Sequence, residues 1–298
     1  MAIEPTQLEL ENLRQLLAVA RAEDLGDGDI TSALLPSGTR AAGRFVARQP
    51  IVLCGGAFLG EIAAAYGGAI ETEVFAPDGE PVAAGQAFAA WSGPAADVLA
   101  AERVALNFVQ RLCGIATLTL TYVEAVAGTS AAIYDTRKTT PGWRALEKYA
   151  VRAGGGRNHR MGLYDAVLVK DNHLAAMKLT GAGDPLAALA EPLTAMRSRL
   201  RPDAFVEVEV DTLEQLDAAM KLDVDIILLD NMSPDQLTQA VARRDAAPLA
   251  RQVMLEASGG ITLESVRGVA MTGVERIAVG ALTHSATSVD VGLDIELT

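Results

Sequence analysis

The stretch FVEVEVDTLEQLDAAMKLDVDIILLDN, residues 205–231, decides the fold. Two short runs rich in apolar and β-branched residues, 205–210 and 226–229, flank a segment with helical character. That segment, 212–221, opens with Thr212, a residue type favoured at helix N-caps. The order strand, helix, strand is typical of one parallel βα unit.

The same rhythm extends through the second half of the chain. A further helical pattern covers 233–243. Repeated βα units favour an α/β barrel, with a doubly wound open sheet as the alternative. The predicted strands are Ala131–Tyr134, Ala166–Val169, Phe205–Val210, Ile226–Leu229, Val253–Leu255 and Arg276–Val279.

The first 125 residues follow another pattern. Short β-like runs separated by Gly and Pro predict a small α+β unit, and a long apolar helix is expected to bridge it to the next domain. The predicted helices are 6–24, 57–66 and 96–125, and the predicted strands are 43–47, 70–75 and 87–91.

Charged or glycine-rich residues follow the predicted parallel strands. Asp135-Thr136-Arg137-Lys138, Lys170-Asp171-Asn172-His173, Asp230-Asn231 and Glu256-Ala257-Ser258-Gly259-Gly260 are the main groups. The carboxyl ends of parallel strands form the rim where barrels and open sheets bind their ligands, so these groups predict a functional site there.

The cations are concentrated in one stretch. Residues 135–173 carry eight Lys/Arg against four Asp/Glu, in a chain of formal net charge −13 and pI near 4.7. An acidic chain with 4% aromatics disfavours nucleic-acid and anionic-membrane binding, whereas a cationic island favours a small polyanion. Arg137, Lys138, Arg160 and Lys170 are the candidate ligands for that anion. The spacing of Arg144, Lys148 and Arg152 instead predicts one solvated helix face.

Carboxylates and glycines complete the candidate site. Glu209 and Asp230, and less strongly Glu207, are expected near the rim, binding a sugar hydroxyl, a metal or a cation. The sequence ASGG at 257–260 follows a strand and precedes a helical pattern, which suits phosphate binding by backbone N–H groups. Neither a GxGxxG nor a GxxxxGK[ST] motif supports this interpretation.

Other chemistries find little support. The three histidines lack zinc-site spacing, and no GxSxG elbow indicates a Ser-His-Asp triad. Cys54 and Cys113 are expected to be buried, reduced thiols. No signal sequence or apolar run long enough to span a membrane is evident, so we expect a cytoplasmic protein with no membrane partner.

Several motifs together resemble the quinolinate phosphoribosyltransferase family, and DTRKTTPG through KDNH is the most specific. The resemblance implies an N-terminal α+β sandwich-like domain, 1–112 with 284–298, and an incomplete α/β barrel of about six strands, 113–283. It also implies a homodimer with shared active sites, with larger assemblies left open. The matching segments are EDLGDGDIT (23–31), ERVALNFVQRLCGIAT (102–117), DTRKTTPGWRALEKYAVRAGGGRNHRMGLYDAVLVKDNH (135–173), EVEVDTLEQL (207–216), ILLDNM (227–232), LEASGGI (255–261) and VGALTHS (279–285).

The reaction implied by the resemblance joins quinolinate to 5-phosphoribosyl-1-pyrophosphate. Its products are nicotinate mononucleotide, pyrophosphate and CO2, it requires Mg²⁺, and it supplies NAD biosynthesis. Lys138, Lys170, Glu209 and Asp230 are the implied catalytic residues, and Glu209 and Asp230 would also hold ribose hydroxyls and Mg²⁺.

The remaining implied contacts are with the two substrates. The carboxylates of quinolinate would be held by Arg137, His159, Arg160 and Arg103 of the partner subunit. Thr136, Lys138 and Lys170 would contact quinolinate or the phosphates, and the 5-phosphate would lie against Ser258, Gly259, Gly260 and Gly280, with His284 nearby. Ala257 stands where the family often has Ser, and Ser258 is retained beside it.

Two alternatives stay open. A related enzyme acting on nicotinate or another pyridine would need a clamp for one carboxylate only, which the set Arg103, Arg137, His159 and Arg160 disfavours. A non-catalytic polyanion-binding protein of the same fold would have little use for Glu209 and Asp230, because carboxylates repel an anion.

Overall fold

The computed structural model describes residues 3–178, 184–247 and 253–298, in two compact units. The first unit takes in the chain up to Thr121, then Lys138–Gly156 and Ala281–Thr298, and the second takes in Tyr122–Arg137 and Arg157–Gly280. The predicted division differs from these bounds in three segments: 113–121, 138–156 and 281–283 belong to the first unit and not to the barrel unit.

The first unit contains five helices among its described residues. Helix α1 begins at a capping box in which Thr6 and Glu9 bond to each other's backbone N–H, and it buries Leu13 and Leu17. The helices are α1 (Gln7–Asp24), α2 (Leu59–Ala65), most of α3 (Ala95–Ala125), α4 (Arg144–Ala153) and α10 (Ala281–His284).

A four-stranded antiparallel sheet forms the β-part of this unit, as the α+β prediction requires. The strand order is β12-β1-β5-β3, and a separate two-stranded sheet pairs β2 with β4. Its last strand lies at the carboxyl end of the chain, so this segment returns to the N-terminal domain as the resemblance implied. The strands are β1 (Arg40–Ala47), β2 (Ile51–Val52), β3 (Glu71–Val74), β4 (Pro81–Val82), β5 (Ala87–Pro94) and β12 (Val291–Leu297).

Helix α3 is the longest element. By length and composition it could cross a membrane, but 61% of its most apolar window is buried in the folded protein, as in a core helix. In the first unit Gly114 packs so closely on Thr287 that any side chain there would collide with the Thr287 carbonyl. Cys54 and Cys113 are both buried and unbridged, as predicted.

A six-stranded parallel sheet forms the second unit. Its order, β6-β11-β10-β9-β8-β7, places β7 to β11 side by side in chain order, with β6 beside β11. This is the order of a barrel and not the reversed order of a doubly wound sheet, and β6 and β7 remain as edges. The strands are β6 (Ala132–Tyr134), β7 (Val167–Val169), β8 (Val206–Val210), β9 (Ile226–Asp230), β10 (Met254–Ser258) and β11 (Arg276–Ala278).

Helices alternate with these strands, which confirms the predicted βα rhythm. Thr212, Ser233 and Thr262 each form a capping box at the start of a helix. The helices are α5 (Asp171–Lys178), α6 (Ala190–Arg197), α7 (Leu213–Ala219), α8 (Pro234–Ala246) and α9 (Leu263–Ala270).

The two faces of the parallel sheet differ in chemistry. Residues paired in register lie on the same face, so the pairs Glu209–Leu228, Leu228–Glu256 and Glu256–Arg276 put three charged residues on one face. The same face carries Glu207, Asp230 and Ser258, whereas Val206, Val208, Val210, Ile227, Leu229, Leu255 and Ile277 occupy the other. The polar face is therefore where the site must be sought.

The predicted solvated face of α4 is wrong. Lys148 is fully buried, and Arg152 forms an ion pair with Glu9 of α1 at 2.6 Å. Helix α1, more than 120 residues earlier in the chain, packs on α4 and covers this face. A spacing of four finds residues on one face of a helix but cannot tell whether another element covers it.

Candidate active site

The rim of the polar face carries one ion pair. Lys170 follows β7, and its Nζ contacts Oε2 of Glu209 on the neighbouring strand β8. The carboxylate side chain is 9% exposed, whereas the lysine side chain is 43% exposed. The lysine is thus held on one side by the carboxylate and open to a ligand on the other.

The ends of β9 and β10 are tied to each other. Asn231 has a positive φ of 55° and donates its backbone N–H to the carbonyl of Ser258 at 2.9 Å, while its side-chain amide donates to Asp230 at 2.7 Å. Gly259, with φ of 92°, has no room for a Cβ, which would collide with the Asn231 side chain. These contacts fix Asp230 beside the glycine turn.

Beyond that turn the backbone faces free space. A Cβ added to Gly260 would meet nothing within 4 Å. Helix α9 begins three residues later behind the Thr262 cap. A backbone that lies open beside the start of a helix can accept an anion at its N–H groups.

Two guanidinium groups of the second unit interact electrostatically. Arg160 is 7% exposed and donates to the carbonyl of Ala166 at 3.2 Å. Burial, and then the positive charge of Arg137, lower the pKa of Arg160. Two cations that repel each other in this way are stabilised by an anion that both can contact.

His159 lies in a closed cluster of charged residues. Its Nε2 is 2.8 Å from Oε2 of Glu207 and 3.4 Å from Oε1 of Glu256. Arg276 donates from Nε to Oε2 of Glu256 at 2.6 Å and stacks on the ring of Tyr134 at 3.7 Å. None of the four charged side chains is more than 8% exposed.

The cluster controls the charge of the imidazole. Burial lowers the pKa of His159, but the hydrogen bonds and charges of Glu207 and Glu256 outweigh burial and raise it to about 9. The backbone N–H of Arg160 points at Nδ1 at 2.8 Å, which favours the neutral ring. One hydrogen bond from a neutral N–H stabilises the neutral ring less than two carboxylates stabilise the charged ring. The pKa of His159 is therefore raised overall.

A metal ion is not needed to balance this cluster. His159, Glu207 and Glu256 offer ligand atoms within 4.8 Å of one another. Burial and the charge of Glu256 raise the pKa of Glu207, His159 lies 2.8 Å from Glu207, and Arg276 donates to Glu256. The two buried carboxyl groups thus have two basic side chains as neighbours, so the cluster contains its own partners for them.

Asp135 holds the loop that carries His159 against β6. Its buried carboxylate accepts the backbone N–H of His159 at 2.8 Å and the side-chain amide of Asn158 at 2.7 Å. The backbone of Arg157 also bonds to Ile133 and to Asp135. The placement of His159 and Arg160 is therefore fixed by β6 as well as by the charged cluster.

Three predicted site residues belong to the first unit. Arg103 is exposed on α3, and Lys138 is exposed at the start of the segment 138–156. The carbonyl of Lys138 accepts from the hydroxyl of Thr283 at 2.8 Å, and Nδ1 of His284 is 2.7 Å from the hydroxyl of Ser285. Thr136 and Gly280 lie in the second unit, each just beyond the end of a strand.

Comparison with known families decides where the chain belongs. Residues 29–113 match the N-terminal domain of quinolinate phosphoribosyl transferase, and residues 115–294 match its C-terminal domain. This chain is a member of the quinolinate phosphoribosyltransferase family. The division between the two matches lies next to the predicted domain boundary at 112.

Individual members of the quinolinate phosphoribosyltransferase family agree with this assignment. The chain is 44% identical to nicotinate-nucleotide pyrophosphorylase [carboxylating] of Mycobacterium leprae, over 96% of this chain and 98% of that protein. It is 40% identical to a probable enzyme of the same name from Bacillus subtilis, over 96% and 94% of the two chains. The solved nicotinate-nucleotide pyrophosphorylase of Francisella tularensis superposes with a TM-score of 0.85 at 33% identity, covering 98% and 100%.

Sequence reasoning places Asp135 and Glu256 at strand ends but does not predict their contacts with His159, and it assigns no role to Arg276. Glu256 stands directly after a predicted strand run, and Arg276 opens another. Charged residues within β-branched runs were the available signal, and only Glu207 and Glu209 were read that way. The sequence does not reveal which strands become neighbours in the sheet, and that information is needed to predict these contacts.

Proposed function

We propose that the protein transfers the 5-phosphoribosyl group of 5-phosphoribosyl-1-pyrophosphate to the ring nitrogen of quinolinate, with loss of CO2. The products are nicotinate mononucleotide and pyrophosphate, and the reaction serves NAD biosynthesis. The observation that carries the proposal is that both domains match the family, while Arg137, Arg160, Lys170, Glu209 and Asp230 lie in the unit built on the parallel sheet.

Quinolinate, a dianion, would take the place between the two guanidinium groups. Arg137 and Arg160 each offer a planar fork that matches one carboxylate, and binding relieves their mutual repulsion. His159 presents its Nε2 to Glu207 and Glu256, so it contributes chiefly by its position next to Arg160. Arg103 from a second copy of the chain would complete these contacts to the carboxylates of quinolinate.

The second substrate would lie along the rim. Ser258, Gly259, Gly260 and Gly280 suit the 5-phosphate because Gly260 leaves the backbone open. The resemblance adds His284 to these proposed contacts. Lys138, Lys170 and Thr136 would contact quinolinate or the pyrophosphate.

Glu209 and Asp230 are fitted to hold Mg²⁺ together with the ribose hydroxyls. Both are carboxylates at the ends of neighbouring parallel strands, and hard oxygen donors are the ligands that Mg²⁺ prefers. Mg²⁺ would supply positive charge that neutralises pyrophosphate. Lys170 already contacts Glu209, and a substrate hydroxyl or a further cation would share that carboxylate.

Electrostatic stabilisation by the chain and the chemistry of the substrates themselves account for both bond changes. The ring nitrogen forms a bond to ribose C1 as the bond from C1 to the pyrophosphate oxygen breaks, and positive charge develops at C1. Glu209 and Asp230 stabilise that charge electrostatically. The pyridinium ring then accepts the electron pair of the bond to the adjacent carboxylate, CO2 leaves, and water supplies a proton to the ring carbon. No strong protein base is required.

The assay that tests this proposal uses purified protein, Mg²⁺, 5-phosphoribosyl-1-pyrophosphate and either quinolinate or nicotinate. We expect nicotinate mononucleotide from quinolinate, with one CO2 released for each product molecule. Asp230→Asn is the control for a contaminating activity, because it should lose turnover. Turnover of nicotinate without CO2 would replace this proposal with the single-carboxylate alternative, and pyrophosphate binding without turnover would favour the polyanion-binding protein.

We also propose a homodimer with shared sites, with the cytoplasm as its compartment. The support is the exposed position of Arg103 on α3, distant in sequence from the other site residues. Mixing inactive Arg103→Ala protein with inactive Lys138→Ala protein should restore part of the activity, because a mixed dimer would contain one intact site. Mixed dimers without activity would contradict shared sites.

A further inference from the structure

Arg111 of α3 connects two segments that carry proposed substrate contacts. Its guanidinium donates to the carbonyl oxygens of Thr283 and Ala286, which lie in and just after α10. It also donates to Oε1 of Glu147 on α4 at 2.7 Å. Arg111, Glu147 and both carbonyls belong to the first unit.

Glu147 extends the contact to the segment that begins at Lys138. Its fully buried carboxylate accepts the backbone N–H of Thr140 at 3.1 Å and the Thr140 hydroxyl at 2.9 Å. The carboxylate is thus shared between a cation on one side and the turn before α4 on the other. Moving either Arg111 or Glu147 would release this turn.

A third contact joins the two segments directly. The buried hydroxyl of Thr283 donates to the carbonyl of Lys138 at 2.8 Å. The segment 138–140 and the segment 283–286 are therefore joined directly, and also through Arg111 and Glu147. We call these four residues, Arg111, Glu147, Thr140 and Thr283, the clamp.

We propose that Arg111 and Glu147 are positioning residues, which set Lys138 and His284 relative to each other through the clamp. The inference rests on the proposed function, because it gives the two positioned residues their task at the phosphates. An arginine suits this position because its planar group donates to several acceptors at fixed angles, which lysine cannot do. Misplacement of a substrate contact by about 1 Å can cost on the order of a hundredfold in rate.

The chain offers a matched control for the clamp. Arg152 is also an arginine that pairs with a buried glutamate in the first unit, at 2.6 Å from Glu9. The two arginine side chains have similar exposure, 21% for Arg111 and 29% for Arg152. Arg152→Met thus breaks a comparable ion pair away from 138–140 and 283–286.

The experiment compares Arg111→Met, Arg111→Lys and Arg152→Met in turnover, thermal unfolding and amide hydrogen exchange without substrates. We expect Arg111→Met to lose on the order of tenfold to a hundredfold in kcat/KM, while Arg152→Met stays within about twofold of wild type at a similar loss of thermal stability. Arg111→Lys should recover little activity. Exchange should rise in peptides covering 138–143 and 281–287 for Arg111→Met alone.

The outcomes separate this inference from the proposed function. The clamp proposal would be overturned if Arg111→Met and Arg152→Met had equal activity. It would also be overturned if the two variants showed equal hydrogen exchange in both segments. If wild type does not turn over quinolinate, the proposed function fails, while hydrogen exchange still decides whether the clamp exists. If Arg111→Met does not fold, Thr283→Val takes its place, since it removes the hydroxyl bond to Lys138 and should raise exchange in the same two segments.

Discussion

Two groups of charged residues on one face of the parallel sheet differ in how far they are exposed to solvent. At the rim, Lys170 is paired with Glu209 yet remains 43% exposed. Among the buried residues, His159, Glu207, Glu256 and Arg276 neutralise one another, and none exceeds 8% exposure. Lys170 at the rim is open to solvent and to a ligand, whereas the cluster is closed to solvent. Charge alone therefore does not identify an active site, and the partners of each charge must be known.

Arg276→Met breaks the closed cluster and has the largest effect that we expect. It leaves Glu256 buried without its cation, which costs about 3–5 kcal/mol of unfolding free energy. Urea unfolding measures this loss. The double variant Arg276→Met/Glu256→Gln should regain part of it, because the uncompensated charge is gone. A loss below about 1 kcal/mol in the single variant would mean that the cluster does not stabilise the fold.

Glu209→Gln removes the ion pair with Lys170 at the rim, and we expect it to lower turnover more than stability. By the proposed mechanism it removes a negative charge beside the developing charge at ribose C1, and we expect kcat to fall about 10²–10³-fold. The unfolding free energy should change little, because the pair it belongs to is partly exposed. Steady-state kinetics and urea unfolding on one preparation test both statements. Full activity in this variant would remove Glu209 from the proposed chemistry.

The pH dependence of stability distinguishes the two groups further. The pKa of His159 is raised from about 6.5 in the unfolded chain to about 9 in the folded protein. Its contribution to stability is therefore complete below pH 6.5 and is lost as the pH rises through 9. The difference in unfolding free energy between wild type and His159→Gln should shrink over this range. A constant difference from pH 6.5 to pH 9.5 would show that the imidazole does not gain its proton from the cluster.

Chelation should have the smallest effect on the folded protein. Because the carboxyl groups of the closed cluster already have basic partners, EDTA should leave the melting temperature of the substrate-free protein unchanged. Turnover should stop under the same conditions and return with added Mg²⁺. A fall in melting temperature, together with bound metal in elemental analysis that Glu256→Gln removes, would identify the cluster as a metal site.

The same comparison shows what the sequence could reveal. The strand runs and the charges that follow them identified the rim, since period-two patterns and strand ends are local features. The closed cluster could not be found in this way, because His159, Glu207, Glu256 and Arg276 come from four separate segments. Lys148 was misjudged for the same reason, since the helix that covers its face is remote in sequence. Local patterns predict elements, and contacts between distant elements decide which charges are open.

The most direct test of this difference is the thermal stabilisation of three proteins by quinolinate: wild type, Arg160→Met and Arg276→Met. At about a hundredfold excess over the dissociation constant, a ligand adds about 2.7 kcal/mol to stability. We predict that quinolinate raises the melting temperatures of wild type and of Arg276→Met by similar increments, and that Arg160→Met loses the increment. Retention of the increment in Arg160→Met, or its absence in wild type, would contradict the assignment of the dianion to Arg137 and Arg160.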